Sequence, residues 1–363
     1  MCGDTMSKIE VLSGSDLQDI EQWEHLLEEI PHADVYFLPQ YAGIYERKGD
    51  GTSHCFVYQS DDGIVLYSFL LRRINDIRIF QDFDECYDIT TPYGYGGPIY
   101  FSANASSLHR LIKDFLKSFH SYCCDHHIVS EFARLHPLFG NHQVMPNSNK
   151  VFHHETVFID LQQDEDNLWK GIRKGHKSSI KKALRFNVEV IRDQSLNYIS
   201  EFYNLYIATM KRQQASPFYF FPLSFFKDTL ESLRKYSSLF VALHEAKVAT
   251  ASIFLHCGEF IHYHFSGSDS DSLRLCSNHL MIYEVAKWAQ QKGIKYFHLG
   301  GGLRPEDNLF TFKSGFSEKR SPFYTYRYIH LHDVYQKLVR LKLESLRTSS
   351  DIVDEEFFPR YRA

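Results

Sequence analysis

Twice along the 363 residues the apolar spacing passes through the same succession: helices, a run of short strands joined by turns, one long helix, then a single strand. A meander followed by a helix and a strand buries its apolar faces as a mostly antiparallel sheet flanked by helices. Two α/β units of like element order are therefore predicted. In the first half, Leu17, Ile20, Leu27 and Ile30 fall at helical spacing and Pro31 stops the run. A short helix over 39–47 comes next. Strands at 54–59 and 64–74 flank the hairpin signal Asp61-Asp62-Gly63, with a third strand at 77–80. Leu108, Leu111, Ile112, Phe115, Phe119 and Tyr122 then mark a long helix before a strand at 128–134.

The second half has helices at 168–187, 196–214 and 222–236 and a meander at 239–244, 248–257 and 259–266. A helix at 273–291 and strands at 295–299 and 323–330 complete it. Polar, turn-forming residues over 139–150 mark the join. The predicted division is 1–148, 149–330, and a final helix with a fraying tail over 331–363. The halves share element order and no visible sequence repeat.

Charge is nearly balanced, with 40 Lys and Arg against 45 Asp and Glu, so a nucleic-acid role would have to come from a local patch. The seven cysteines, an odd number, fit no disulfide framework and suit a reducing cytoplasm. The first ten residues carry neither the basic nor the apolar region of a signal peptide, and Gly3 is out of register for myristoylation. Apolar runs such as 64–71 fall far short of the roughly 18 residues of a membrane span. A cytoplasmic chain, at most peripheral to the inner face of the membrane, is expected.

Chemistry concentrates between His298 and Ser317. Gly300, Gly301 and Gly302 succeed a strand and let the backbone turn sharply and approach a neighbour or ligand closely. After a polar loop, Phe310, Phe312 and Phe316 surround one cation, Lys313. That lysine is either a snorkelling stem in an aromatic core or an ammonium held near developing negative charge. The spacing does not choose between them.

Lys170, Arg173, Lys174, Lys177, Lys181, Lys182 and Arg185 form an acid-free run. On a helix, Trp169, Ile172, His176, Ile180 and Leu184 would face the core. The cations are then a solvated face or a track for phosphates. Arg212 lies at a helix end beside the aromatic 218–221, where its fork can grip a diphosphate or carboxylate. Strand alternation sends His262 and His264 to one face and Tyr263 to the other. Neither that pair nor Cys123, Cys124, His126 and His127 has a second ligand pair at a recognisable spacing, so no metal is expected. No Walker sequence, dinucleotide fingerprint or Gly-x-Ser-x-Gly elbow occurs, and no tightly bound cofactor is called for.

Read in order, TPYGYGGP, LWKGIRKGHKSSIKKAL, FYNLYIATMKR, HYHFSGSD, SNHLMIYEVAKWAQQKGIKYFHLGGG and LFTFKSGFS resemble the motifs of the FemAB family. These transferases carry two tandem GNAT-like domains and add amino acids to peptidoglycan precursors. The resemblance spans about residues 35–330. It implies that Lys313 assists transfer in the substrate channel, with Phe312 beside it and the glycine turn, Gly300 to Gly302, lining the site. It also implies that Arg212 contacts precursor phosphates and that Tyr263 lies near the attacking amine.

The expected reaction moves an activated acyl or aminoacyl group to an amine of an envelope or sugar precursor, with Lys313 stabilising the tetrahedral oxyanion. The donor is an aminoacyl-tRNA, held along Lys174, Lys177 and Lys181, or an acyl-CoA. The chain lacks the helical hairpin that some members insert for tRNA and has a short polar loop at 304–308. Against CoA, the stretch 274–280 has no glycine where GNAT enzymes place their pyrophosphate loop. A non-catalytic scaffold in an envelope polysaccharide pathway is the remaining alternative.

Overall fold

The computed structural model describes residues 7–302, 307–346 and 356–363. The polar loop after Gly302 falls mostly outside the described residues, as does the stretch just after the last helix. The chain divides into two units, Met1–His153 with Phe323–Ala363, and His154–Pro322.

In the first unit, β1 (Lys8–Ser13) leads to α1 (Leu17–Glu28), whose N-terminus is capped by the Asp16 carboxylate accepting from Gln18 and Asp19 N–H. Helix α2 (Pro39–Lys48) opens on proline and ends at Gly49 with φ 93°. Strands β2 (Thr52–Ser60) and β3 (Gly63–Arg73) form the expected antiparallel hairpin, with Ser60 opposite Gly63. The strand predicted at 77–80 is instead a 3-10 turn, because Phe80 is buried and Asn75 Nδ2 holds the carbonyls of Phe80 and Phe83. The next strand is β4 (Tyr87–Thr90), hidden from hydropathy by its acidic surroundings, succeeded by β5 (Ile99–Ser102). Helix α3 (Leu108–Asp125) then lays Leu111, Phe115 and Phe119 on the sheet, and β6 (Ile128–Arg134) runs parallel to β4.

The second unit contains most of β7 (Lys150–Asp160), then α4 (Glu165–Gly171), α5 (Lys174–Arg185), β8 (Glu189–Asp193), α6 (Ile199–Arg212) and α7 (Leu223–Ser232). The meander is β9 (Ser237–His244), β10 (Lys247–Cys257) and β11 (Phe260–Ser268). Helix α8 (Ser277–Gln291) crosses over to β12 (Tyr296–Gly300), and α9 (Asn308–Ser314) comes after it. Its strands run β7-β12-β11-β10-β9-β8, antiparallel except for β11 beside β12. Gly267 lets α6 lie on β11, since a Cβ there would meet the Tyr206 backbone nitrogen at 2.3 Å. Phe240, Phe254, Ile261, Met281, Val285 and Phe297 fill the core beneath α8.

The predicted single helix at 168–187 is broken between α4 and α5. Arg173 N–H donates to the Gly315 carbonyl at 2.8 Å instead of continuing the helix. The predicted inward face is kept at Ile172, His176 and Ile180, but Ala183 rather than Leu184 continues it, and Leu184 is exposed.

The predicted second boundary also moves. From Thr325 onward β13 (Arg320–Ile329) pairs with β6, so this strand, expected with the second half, completes the sheet of the first unit. Helix α10 (His332–Leu346) packs Tyr335 and Leu338 with Ile74, Phe80 and Val129. The end of the tail does not fray as expected. Tyr361 is fully buried, its hydroxyl donating to Asp88 Oδ2 at 3.0 Å and paired with Ser130 Oγ at 2.8 Å. No helix among the described residues is long and apolar enough to cross a membrane.

Candidate active site

The site is built in the second unit around the end of β12. The parallel ladder between β11 and β12 runs from Phe260 opposite Tyr296 to His262 opposite His298 and then stops, although both strands continue. Beyond that point β12 stays paired with β7 through Gly300 and Val157. Just past it, β11 carries a bulge, since Phe254 faces Tyr263 while Ile253 faces Phe265. The bulge interrupts the simple alternation expected of His262 and His264. The two strands part where the glycine turn begins.

Each glycine of the turn has its own reason. Gly300 adopts φ 78°, which side chains avoid. A Cβ on Gly301 would meet the His154 ring at 2.3 Å, and one on Gly302 the Asp307 carboxylate at 2.2 Å. Asp307 caps α9, accepting from Phe310 N–H at 2.7 Å. Within this helix Lys313 is only 8% exposed, and its ammonium donates to the Gly301 carbonyl at 2.7 Å. It is therefore no snorkelling stem: its head is turned inward against the turn. Burial pulls its pKa from the ordinary 10.5 down to about 8, against the opposing pull of the Asp307 charge.

Behind Lys313 stands a histidine that the sequence reading placed only as core. His176 of α5 is 2.7 Å from the Phe312 carbonyl through Nε2, and its ring lies 4.7 Å from both His279 and Phe316. Gly315 gives it room, since a Cβ there would sit 2.2 Å from the imidazole. Burial lowers the pKa of His176 and takes that of His279 to about 4, so His279 is neutral near pH 7. His279, in the first turn of α8, packs its ring 4.9 Å from Phe312. His176 is separated from α9 by well over a hundred residues of chain, and only its helical phase hinted at any of these contacts.

The remaining candidates stand apart from this group. The Tyr263 hydroxyl donates to Asn278 Oδ1 on α8 at 3.1 Å, and burial raises its pKa, which keeps the phenol protonated. Arg212 ends α6 and reaches the Ser268 carbonyl at 3.3 and 3.4 Å and Thr209 Oγ1 at 3.2 Å, at the far end of β11. Lys174 and Lys181 are exposed on α5. Lys177 donates to the Lys170 carbonyl at 2.9 Å, and the ammonium groups of Lys177 and Lys181 lie 6.0 and 5.8 Å from the Trp169 ring.

Comparison with known proteins bears on the fold. Residues 170–313 match the family described as an acetyltransferase (GNAT) domain. Over 332 residues the chain is 23% identical to the UDP-N-acetylmuramoylpentapeptide-lysine N(6)-alanyltransferase of Weissella viridescens, covering 84% of this chain and 91% of that one. Among solved structures it is similar to FemX, with a TM-score of 0.65 at 12% identity over 88% of this chain and 98% of that one. A conserved protein of unknown function from Bacteroides thetaiotaomicron gives 0.52 at 12% identity, over 84% and 96%.

The fold is GNAT-like, with residues 170–313 matching a GNAT acetyltransferase domain, and the chain is an acyltransferase. Within that class the chain is FemAB-like.

Proposed function

We propose that this acyltransferase moves an aminoacyl group from aminoacyl-tRNA to the free amine of a peptide on a nucleotide-linked peptidoglycan precursor. The observation that carries the reading is the inward-facing ammonium of Lys313, bound to Gly301 O beside the parting of β11 and β12. Aminolysis of an ester passes through a tetrahedral intermediate whose oxygen becomes an anion. A buried, preorganised cation stabilises that charge far better than water does. On this reading Lys313 and main-chain N–H groups at the strand gap receive the oxyanion, and Phe312 and the turn Gly300 to Gly302 shape the channel.

Tyr263, held protonated by burial, exchanges its bond to Asn278 for one to the reacting groups and acts as a hydrogen-bond donor rather than as a base. The incoming amine loses its proton to water or to the leaving ribose hydroxyl, which becomes the alcohol product. Arg212, exposed at its tip, takes the precursor's phosphates, and Lys174, Lys177 and Lys181 track the tRNA backbone. The substrate of the Weissella viridescens relative, as its name states it, supports the acceptor class.

A second reading, with acyl-CoA as donor, draws on one structural feature. Cys276 precedes the first turn of α8 with φ 57°, the backbone shape a glycine would provide there. The residue before α8 thus has the backbone shape that a glycine-bearing pyrophosphate loop would use at that point.

One experiment separates the two. Purified protein is given a UDP-linked muramoyl pentapeptide with either a charged tRNA pool or acetyl-CoA, and the product is weighed by mass spectrometry. An aminoacyl mass increment only with charged tRNA is the expected result. An acetyl increment with CoA, and none with tRNA, overturns the proposal.

A further inference from the structure

In the first unit, donor atoms of three different kinds meet in the interior. Cys123 lies on α3, Glu131 on β6 and His330 just past β13. They are 0%, 2% and 7% exposed. The thiol sulfur, a carboxylate oxygen and an imidazole nitrogen all lie within 4.8 Å of one another. His330 is fixed by its main chain, whose N–H donates to the Val129 carbonyl at 2.9 Å where the β6 ladder ends. Its Nε2 is 3.0 Å from Glu131 Oε2, and its Nδ1 is 3.0 Å from Nδ1 of His120, one turn before Cys124 on α3.

We propose that this cluster is a binding site for one divalent zinc-like ion, held by Cys123 Sγ, Glu131 and His330 Nε2. Sulfur, imidazole nitrogen and carboxylate oxygen are the donors zinc takes, at about 2.0 to 2.3 Å. In a tetrahedron those bond lengths put the donors roughly 3.3 to 3.7 Å from one another. The three side chains need only small rotations inward from where they stand. The outer nitrogen of His330 has a partner as well: Nδ1–H donates to His120, the kind of hydrogen bond that orients a ligating imidazole. A water completes the fourth position.

Charge balances. The ion meets a thiol, a carboxylate and a neutral imidazole, and one proton leaves, that of the Cys123 thiol. The bound ion then carries two anionic ligands and the buried site is neutral. Because ligation releases the thiol proton, binding strengthens as pH rises.

Sequence reading grouped Cys123 and Cys124 with His126 and His127, and these two histidines point elsewhere. His126 lies on the Tyr122 ring at 4.2 Å, and His127 is exposed with φ 53°. The second pair of donors comes from Glu131 and His330, which no spacing rule would have joined to the helix.

The test uses the full chain, unfolded with chelator and refolded with cobalt(II) as a coloured substitute for zinc. One equivalent bound, with a thiolate-to-cobalt charge-transfer band that zinc abolishes, is expected. The band should vanish in Cys123→Ser and persist in Cys124→Ser, and Glu131→Gln, which keeps the side-chain shape, should weaken cobalt binding tenfold or more. Wild-type protein that refolds without binding cobalt or zinc overturns the proposal. So does a band that survives Cys123→Ser, or an unchanged affinity in Glu131→Gln, which holds even where the cysteine variant does not fold.

Discussion

The imidazole of His176 lies 2.7 Å from the carbonyl oxygen of Phe312, and this bond joins the buried face of the basic helix α5 to the residue before Lys313. A second tie, Arg173 N–H to Gly315 O at 2.8 Å, holds the start of the same helix to the end of α9. The cationic face and the buried ammonium are thus parts of one mechanical assembly. His176→Phe keeps a ring of similar size and deletes the donor. A buried carbonyl left without its partner costs about 1 to 3 kcal/mol of stability. The looser seat of Lys313 should lower kcat roughly tenfold with KM little changed, since a misplaced catalytic group loses rate before binding. Steady-state kinetics with a melting curve check both, and an unchanged kcat would show that the bond does not position Lys313.

The pH dependence of turnover tests the protonation state of Lys313. The acceptor amine must be neutral to attack, while Lys313 must be charged to receive the oxyanion. With Lys313 titrating at about 8, log rate should climb with unit slope up to that pH and then level, as gain in free amine is offset by loss of the ammonium. A lysine acting as a base would instead give a steeper rise below 8 and a continued rise above it. Stability shifts in the same region. An unfolded lysine keeps its proton to about 10.5, so the unfolded chain binds more protons between 8 and that value and the fold gains stability as pH rises through the window.

At the chain's end, the fully buried carboxylate of Asp88 receives the Tyr361 hydroxyl and the guanidinium groups of Arg72 and Arg362. Asp88→Asn leaves two cations facing a neutral amide and should cost about 3 to 5 kcal/mol. Tyr361→Phe removes only the hydroxyl and should cost about 1 to 2 kcal/mol. Urea melts of both variants measure the difference. Equal small effects would show that the terminal segment contributes little to the first unit.

The salt dependence of donor binding reads out the basic helix. Each phosphate contact contributes about 0.7 to 0.9 to the slope of log K against log salt. Converting Lys174, Lys177 and Lys181 together to Gln should therefore flatten that slope for tRNA by roughly two units or more, with the melting temperature nearly unchanged because these side chains are not in the core. A slope identical to wild type would move the donor elsewhere.

Much of the fold was legible in residue order. The meanders, the long helices and the turn after β12 are dictated by periodicity and glycine. The aromatic residues around Lys313 marked it, though only the structure shows its ammonium turned toward Gly301. The elements that escaped did so for physical reasons. Strand β8 carries Glu189, Arg192 and Asp193 and has no apolar alternation to betray it. Leu184 read as core because i+4 spacing from Ile180 allows it, whereas i+3 spacing puts Ala183 inward instead. The roles of His176, Glu131 and His330 depend on contacts between residues distant in sequence, which no local pattern carries.

The most direct test of the site is Lys313→Met, which keeps most of the stem's packing and deletes the charge. Turnover should fall about a hundredfold, equivalent to roughly 2.7 kcal/mol of transition-state stabilisation. The melting temperature should hold or rise, since a buried cation is removed. Single-turnover transfer to the muramoyl peptide measures the rate independently of product release. A hundredfold loss in a well-folded variant is the expected result, and a wild-type rate in that variant would contradict the role assigned to Lys313.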